Sequence, residues 1–281
     1  MPTVTSNGAQ IRYIREGAGE PVLLLHGYLF GADWWRPQID ALKHTFDVIA
    51  IDFRGQMGSE TTDEQAHYDV WNLVEDVRGV LDALQVDSVH VVGLSMGGFV
   101  GIRLALRYPE HVRSLVLMDT SAAPEDPTKV EQYDAMAEVV QQGQLEAVLP
   151  ALPPIFLADD FIAEQPDAVD DWLNRVAAAN HLGVVYALRG INSRDDVTHR
   201  LHEIQQPTLV IHGINDVAVP MDRAETLAER IPNAELATTD GAHQSNVDRP
   251  EHTSALIRDF LLKVEPSAGA MVEDKAGSPA S

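Results

Sequence analysis

One stretch of this chain limits its possible folds more than any other. Residues 88–107 read SVHVVGLSMGGFVGIRLALR: an apolar run, a serine with glycine two residues away on each side, then a helical pattern. Val89, Val91 and Val92 supply the β-branched run that ends at the turn, and Val100, Leu104 and Ala105 recur at helical spacing beyond it. Gly93-Leu94-Ser95-Met96-Gly97 matches the pattern G-x-S-x-G. Between a strand and a helix this pattern makes a sharp, strained turn that lifts the serine Oγ above the sheet edge. Glycine is required on both sides because a Cβ there would run into the adjoining strand and helix backbones. With glycine and serine each at roughly 7% of residues, a chain of this length carries on the order of 0.1 such matches by chance, so the flanking strand and helix carry much of the signal. A Gly-rich turn with an idle serine competes until partners for the serine are found.

The rest of the chain supplies a sheet for such a turn. Thr3–Ser6, Asn7-Gly8 and Ala9–Arg15 predict a hairpin, since Asn-Gly suits a type I′ turn. Apolar runs of buried-strand length follow at Val22–Leu25, Val48–Ile51, Val89–Val92, Leu115–Leu117 and Leu209–Ile211, with a shorter one at Ala234–Ala237. Helical patterns lie between them. The clearest is Val70, Leu73, Val74, Val77, Val80, Leu81 and Leu84, with Asp69 placed to cap it. Strands alternating with helices predict an α/β fold with a mainly parallel central sheet flanked by helices.

That alternation breaks once. After Val116-Leu117-Met118-Asp119 no strand pattern returns until Thr208. Ala135–Val140, Leu145–Leu149, Trp172–Ala179 and Val184–Leu188 predict short amphipathic helices, broken at Pro150, Pro153-Pro154 and Pro166. A structureless loop of that length is implausible inside a domain. The expected organisation is therefore an α/β core from residues 1–122 and 204–263, a helical cap inserted at 123–203, and a patternless tail, 264–281, expected to be disordered.

Composition removes several function classes. At 281 residues and 45% hydrophobic the chain can bury one full core. Its net charge of −23 argues against nucleic acid or an anionic membrane surface as partner. No apolar run is long enough to span a bilayer. Without cysteine there are no disulfides and no thiolate metal sites, and the opening MPTVTSNGAQ shows neither a basic leader nor an apolar stretch. A cytoplasmic protein acting on a small molecule, with no cofactor and no metal, is the expectation.

A nucleophilic serine needs a base, and the base needs an orienting acid. Of the eleven histidines, His243 stands in Asp240-Gly241-Ala242-His243-Gln244, a glycine-bearing loop between the last strand and the closing helix Pro250–Leu262. His26 and His212 sit in His-Gly turns at strand ends, where shape and hydrogen bonding are the expected roles. The acid is expected at Asp216, directly after the strand Thr208–Ile211, with Asp119 at the end of the preceding strand as the alternative. Two backbone N–H groups are expected to stabilise an oxyanion, those of Met96 after the serine and of Tyr28 after Leu25-His26-Gly27. Phe30, Trp34, Phe156 and Trp172 are candidate pocket walls, with ordinary packing as the competing role.

Taken together these residues resemble the α/β-hydrolase superfamily over about residues 10–262, in the order Ser95, Asp216, His243. GLSMGGFVGIRLALRYPEHVRSLVLMDTSA, residues 93–122, looks most like the 3-oxoadipate enol-lactonase and small bacterial esterase and haloperoxidase-like branch. Asp52-Phe53-Arg54-Gly55 occupies that branch's D-x-R-G-x-G-x-S turn, but continues Gln56-Met57-Gly58-Ser59, which shifts the second glycine by one. The resemblance implies a serine hydrolase that cleaves a carboxylic ester or lactone through an acyl-enzyme. Perhydrolysis, haloperoxidation or C–C bond hydrolysis by the same triad are the alternatives. The last of these would need a cap arginine facing a carboxylate, for which Arg175, Arg189 and Arg194 are available. Haloalkane dehalogenases and epoxide hydrolases use Asp where this chain has Ser95, and a non-catalytic ligand receptor is the remaining rival.

Overall fold

Hydrophobic periodicity in this chain translates into one sheet with two differently clothed faces. The protein, described here from a computed structural model, is defined over residues 1–264; apart from Val264, the tail expected to be disordered lies outside the described residues. The strands are β1 (Thr3–Ser6), β2 (Ala9–Gly17), β3 (Glu20–Leu25), β4 (Phe46–Ile51), β5 (Val89–Leu94), β6 (Val112–Met118), β7 (Thr208–Gly213) and β8 (Ala234–Thr239). Among the described residues they form a single sheet in the order β1-β2-β4-β3-β5-β6-β7-β8. The β1–β2 hairpin and the β2–β4 pair are antiparallel, and every other pair is parallel. Asn7 and Gly8 turn the hairpin with φ of 44° and 78°, both positive as a type I′ turn requires.

β4, β5 and β7 are buried at every position, because helices cover both faces. Residues of one parity, such as Leu23, Leu25, Ile49, Val91 and Leu117, pack under α2 (Val70–Ala83) and α3 (Met96–Arg107). Residues of the other parity, such as Val22, Leu24, Val48, Val92 and Val116, pack against α1 (Arg36–Leu42) and α11 (Pro250–Val264). Asp69 caps α2 by accepting from Asn72 N. No helix among the described residues is long and apolar enough to cross a membrane.

Five helices are inserted between β6 and β7: α4 (Pro127–Gln141), α5 (Pro153–Phe156), α6 (Asp159–Glu164), α7 (Pro166–Ala177) and α8 (His181–Asn192). The prolines expected to break helices here instead begin them. Pro153-Pro154 and Pro166 stand in the first turns of α5 and α7, and Pro150 stands in a 3₁₀ turn over Leu149–Ala151. The first turn of a helix has no intrahelical use for the missing N–H, so a proline costs nothing there. After β7 come α9 (Met221–Arg230), β8, and the short α10 (Ser245–Asp248).

Candidate active site

Ser95 stands between β5 and α3 with φ 52° and ψ −114°, a conformation that L residues rarely adopt. The turn is pinned from both sides: Ser95 N donates to Met118 O at 2.8 Å, and Thr120 Oγ1 donates to Ser95 O at 2.7 Å. Both flanking glycines are steric necessities. A Cβ on Gly93 would lie 2.4 Å from Gly97 O, and one on Gly97 would lie 2.1 Å from Leu25 O. Met96 opens α3, so its N–H has no acceptor within the helix and the positive end of the dipole faces the serine.

The loop after β3 passes directly against this turn, since a Cβ on Gly27 would come within 3.4 Å of Ser95 Cβ. His26 is buried and bridges its own turn to the neighbouring one: Nδ1 lies 2.7 Å from Gly27 O, and Phe53 N donates to Nε2 at 2.9 Å. Those contacts make Nδ1 the protonated nitrogen, and burial holds the imidazole below its ordinary pKa. Leu29 has φ 65° and donates its N–H to Gln56 Oε1, while Ala32 N donates to Asp52 Oδ1 at 2.7 Å. Asp52 in turn pairs with Arg12 at 2.7 Å, and Arg54 grips Asp76 with two buried hydrogen bonds. The Asp52–Ser59 turn is thus the brace for the loop that carries Tyr28. The shifted glycine also finds its reason. Met57, at the place where the resembled branch has glycine, still adopts φ 46°, so the turn is kept with a strained methionine.

His243 Nδ1 lies 2.8 Å from Asp216 Oδ2, and both side chains are almost fully buried. Asp216 Oδ1 accepts from Ala218 N and Val219 N, which fixes the carboxylate plane. Burial alone would lower the His243 pKa, but Asp216, by charge and hydrogen bond, outweighs it and holds the imidazolium above its ordinary value; Asp119 adds to this. Asp119, the alternative acid in the sequence, stands one layer behind. Its Oδ1 accepts from Gly213 N at 2.7 Å and its Oδ2 from Ser245 Oγ at 2.6 Å, so it grips the loop of Asp216 and the loop of His243 together. Burial, reinforced by the charge of Asp216, raises the Asp119 pKa. Asp119, His212 and Asp216 bring ligand atoms within 4.8 Å of one another. Both carboxylates already accept from amide or hydroxyl donors, while His212 Nδ1 is buried without a hydrogen-bond partner.

A largely apolar cavity opens over these groups, with Tyr28, Ser95 and His243 in its wall. The inserted segment contributes Leu152, Ile155, Phe156, Leu188 and Ile191. Of the four aromatic residues expected to line it, only Phe156 does. Phe30, Trp34 and Trp172 form a packed cluster instead: Phe30 stacks on Trp172 at 4.7 Å and meets Trp34 edge-on at 5.3 Å, and Trp172 Nε1 donates to Leu29 O. Large flat side chains are indistinguishable by sequence whether they face a cavity or one another. The aliphatic wall has no signature in the sequence for the same reason, because an apolar helix face looks alike packed or open. Among Arg175, Arg189 and Arg194 of the inserted segment, Arg194 alone reaches the cavity. It lies 4.2 Å over the Phe99 ring, donates to Ala123 O and pairs with Glu125 at 3.3 Å. Arg175 and Arg189 pair with Asp171 and Glu138 elsewhere.

The family model for the alpha/beta hydrolase fold matches residues 20–250. RutD of Agrobacterium fabrum, named as a carbamate hydrolase, is 31% identical over 261 residues, which are 89% of this chain and 97% of that one. The enol-lactonase from Burkholderia xenovorans superposes with a TM-score of 0.88 at 26% identity, covering 93% of this chain and all of its own. A thermophilic esterase from Thermogutta terrifontis gives 0.88 at 27%, covering 94% and 99%. With this sheet order, the strained serine between β5 and α3, and these matches, the chain belongs to the α/β-hydrolase superfamily and is a hydrolase.

Proposed function

We propose that this protein cleaves a carboxylic ester or lactone of a small apolar acyl group through Ser95, His243 and Asp216. The reading treats 123–203 as the cap and 1–122 with 204–263 as the core. The observation that carries it is the His243–Asp216 hydrogen bond of 2.8 Å, buried beneath the cavity whose wall Ser95 also forms. Asp216 accepts a hydrogen bond from the Nδ1–H of His243, which leaves Nε2 as the free base. Nε2 takes the proton of Ser95 Oγ as the oxygen attacks the carbonyl carbon. Negative charge then moves to the carbonyl oxygen, which the backbone N–H groups of Met96 and Tyr28 stabilise in this reading. The imidazolium gives its proton to the leaving alcohol, the acyl-enzyme remains, and a water activated by the same Nε2 releases the acid.

The apolar wall suits an acyl chain, and the lactonase and esterase neighbours share the fold at more than 25% identity. Arg194 is already neutralised by Glu125, which disfavours a bare carboxylate subsite and with it the C–C bond reading. A carbamate is the second substrate reading, favoured by the name of the 31% identical relatives. Its carbonyl would meet the same nucleophile. Steady-state rates on short and medium p-nitrophenyl esters, a lactone panel and alkyl carbamates decide between them. An ester or lactone is expected to give the highest kcat/KM; faster turnover of carbamates would reassign the substrate, and no turnover of any would remove the reading.

A further inference from the structure

Cap and base loop are tied by hydrogen bonds that the mechanism above leaves unused. Between α5 and α6 the chain runs extended, with φ/ψ of −117°/147° at Leu157 and −67°/144° at Ala158. This segment lies across the loop of His243: Gln244 N donates to Phe156 O at 2.9 Å. Asp248 Oδ2 accepts from Ala158 N at 3.1 Å and from Ala242 N, the residue before His243, at 3.0 Å. Farther out, Arg249 bridges Asp160 on the cap to Asp240 beside the loop. Phe156, in the cavity wall, has its ring centroid 5.7 Å from that of His243.

One carboxylate oxygen shared by amides from two elements transmits displacement from one to the other. The arrangement is also expensive. Asp248 is 6% exposed, its Oδ1 has no hydrogen-bond partner, and burial pushes its carboxyl up to about 6, so at neutral pH the fold holds an ionised group in a place that disfavours charge. A stabilising role alone does not account for keeping it there.

We propose that Asp248 is a positioning residue that keys the base to the acyl-binding wall, setting His243 through Ala242 and Phe156 through Ala158. The inference rests on His243 being the base. An acyl group that fits against Phe156 then supports the base in the same step, so a poor fit lowers kcat and not only binding.

The test uses Asp248→Ala, Asp248→Asn and Ala158→Pro with p-nitrophenyl acetate, butyrate and octanoate. Proline fits the φ of Ala158 and the extended Leu157 before it, so Ala158→Pro deletes the cap-side donor alone. Asp248→Ala and Ala158→Pro are expected to lower kcat on the acetate about ten- to a hundredfold at nearly constant KM and to change the ratio of kcat across the three esters. Asp248→Asn keeps an acceptor oxygen for both amides and sheds the buried charge. It is expected to recover most of kcat and to melt no lower than wild type at pH 8. Asp160→Asn, which removes only the outer tie, is expected to stay within about twofold of wild type. If Asp248→Ala fails to fold, Ala158→Pro decides. Wild-type kcat and an unchanged ester ratio in Ala158→Pro, or a uniform loss across the esters matched by an equal drop in Tm in Asp248→Asn, would overturn the proposal. Ser95→Ala and His243→Ala run beside them as references. If they are inactive while the Asp248 and Ala158 variants behave as wild type, this inference alone falls; if they retain turnover, the triad reading falls with it.

Discussion

At the scale of single residues, Ser95, the proposed nucleophile, is held in a strained backbone conformation. Its φ of 52° costs about 1–2 kcal/mol for any L residue. Ser95→Ala keeps that strain, so its Tm should stay near wild type while kcat falls by about four orders of magnitude or more. Ser95→Gly should be equally inactive and melt higher, because glycine relaxes the turn. A Ser95→Ala enzyme with more than a few per cent of wild-type kcat would show that another group is the nucleophile. The two acids separate by pH profile. Asp216 is the main source of the raised His243 pKa, so kcat/KM of the wild type should rise through an ionisation above the ordinary histidine value of roughly 6.5. Asp216→Asn removes that support and favours the wrong tautomer. The expected loss in kcat is about 10⁴-fold, with the limb moved below its wild-type position. Asp119→Asn keeps the acceptor for Gly213 N and should cost far less, with a limb displaced only slightly downward. The reverse ranking would move the acid to the end of β6.

At the scale of elements, the inserted helices serve both the pocket and the core, and Phe156, edge-on to Phe30 and Trp172 at 5.8 and 5.9 Å, stands where the two meet. Phe156 faces the cavity, while Trp172 is fully buried against Phe30 and tied to Leu29 O. Phe156→Ala should therefore change the ratio of kcat/KM between short and long acyl esters more than the rate on the smallest one. Trp172→Ala should leave selectivity nearly unchanged and cost about 3–5 kcal/mol of stability by urea unfolding. Altered chain-length preference in Trp172→Ala with unchanged stability would put the indole in the pocket wall after all. The helix assignments also show how local signals compete. Asp69 was readable as a cap because nothing else explained it there, whereas Pro153 and Pro166 fit a helix break and a helix start equally well until the chain on either side is placed.

For the whole molecule, a net charge of −23 and two buried, raised carboxylates point the same way in pH. Asp248 has a folded pKa of about 6 against an ordinary 3.8, so between these values the folded state binds more protons than the unfolded one and stability falls as pH rises. Asp119 extends that fall to higher pH. Carboxylates lowered by ion pairs, such as Glu203 beside Arg200, act in the opposite sense and lose their contribution as pH drops below the ordinary carboxylate range. Stability is expected to be greatest near pH 5, and Tm to decline toward pH 8, with Asp248 alone accounting for about 1.4 kcal/mol of the loss over that interval. Asp119→Asn should flatten the upper part of the decline in a calorimetric series from pH 5 to 9. A Tm that climbs steadily to pH 8 would contradict the burial of both groups. The sequence by itself determined most of the strands, the elbow glycines, and the candidacy of Ser95, Asp216 and His243, because continuous apolar runs, steric exclusion of Cβ and strand-end placement are written locally. Only the tertiary structure decided that Asp216 and not Asp119 meets His243, that Phe156 alone of the four aromatics faces the cavity, and that Asp248 joins the inserted segment at Ala158 to the loop of His243. Those outcomes depend on which side chains approach across 27 to 143 residues of chain, a distance over which no local pattern carries information.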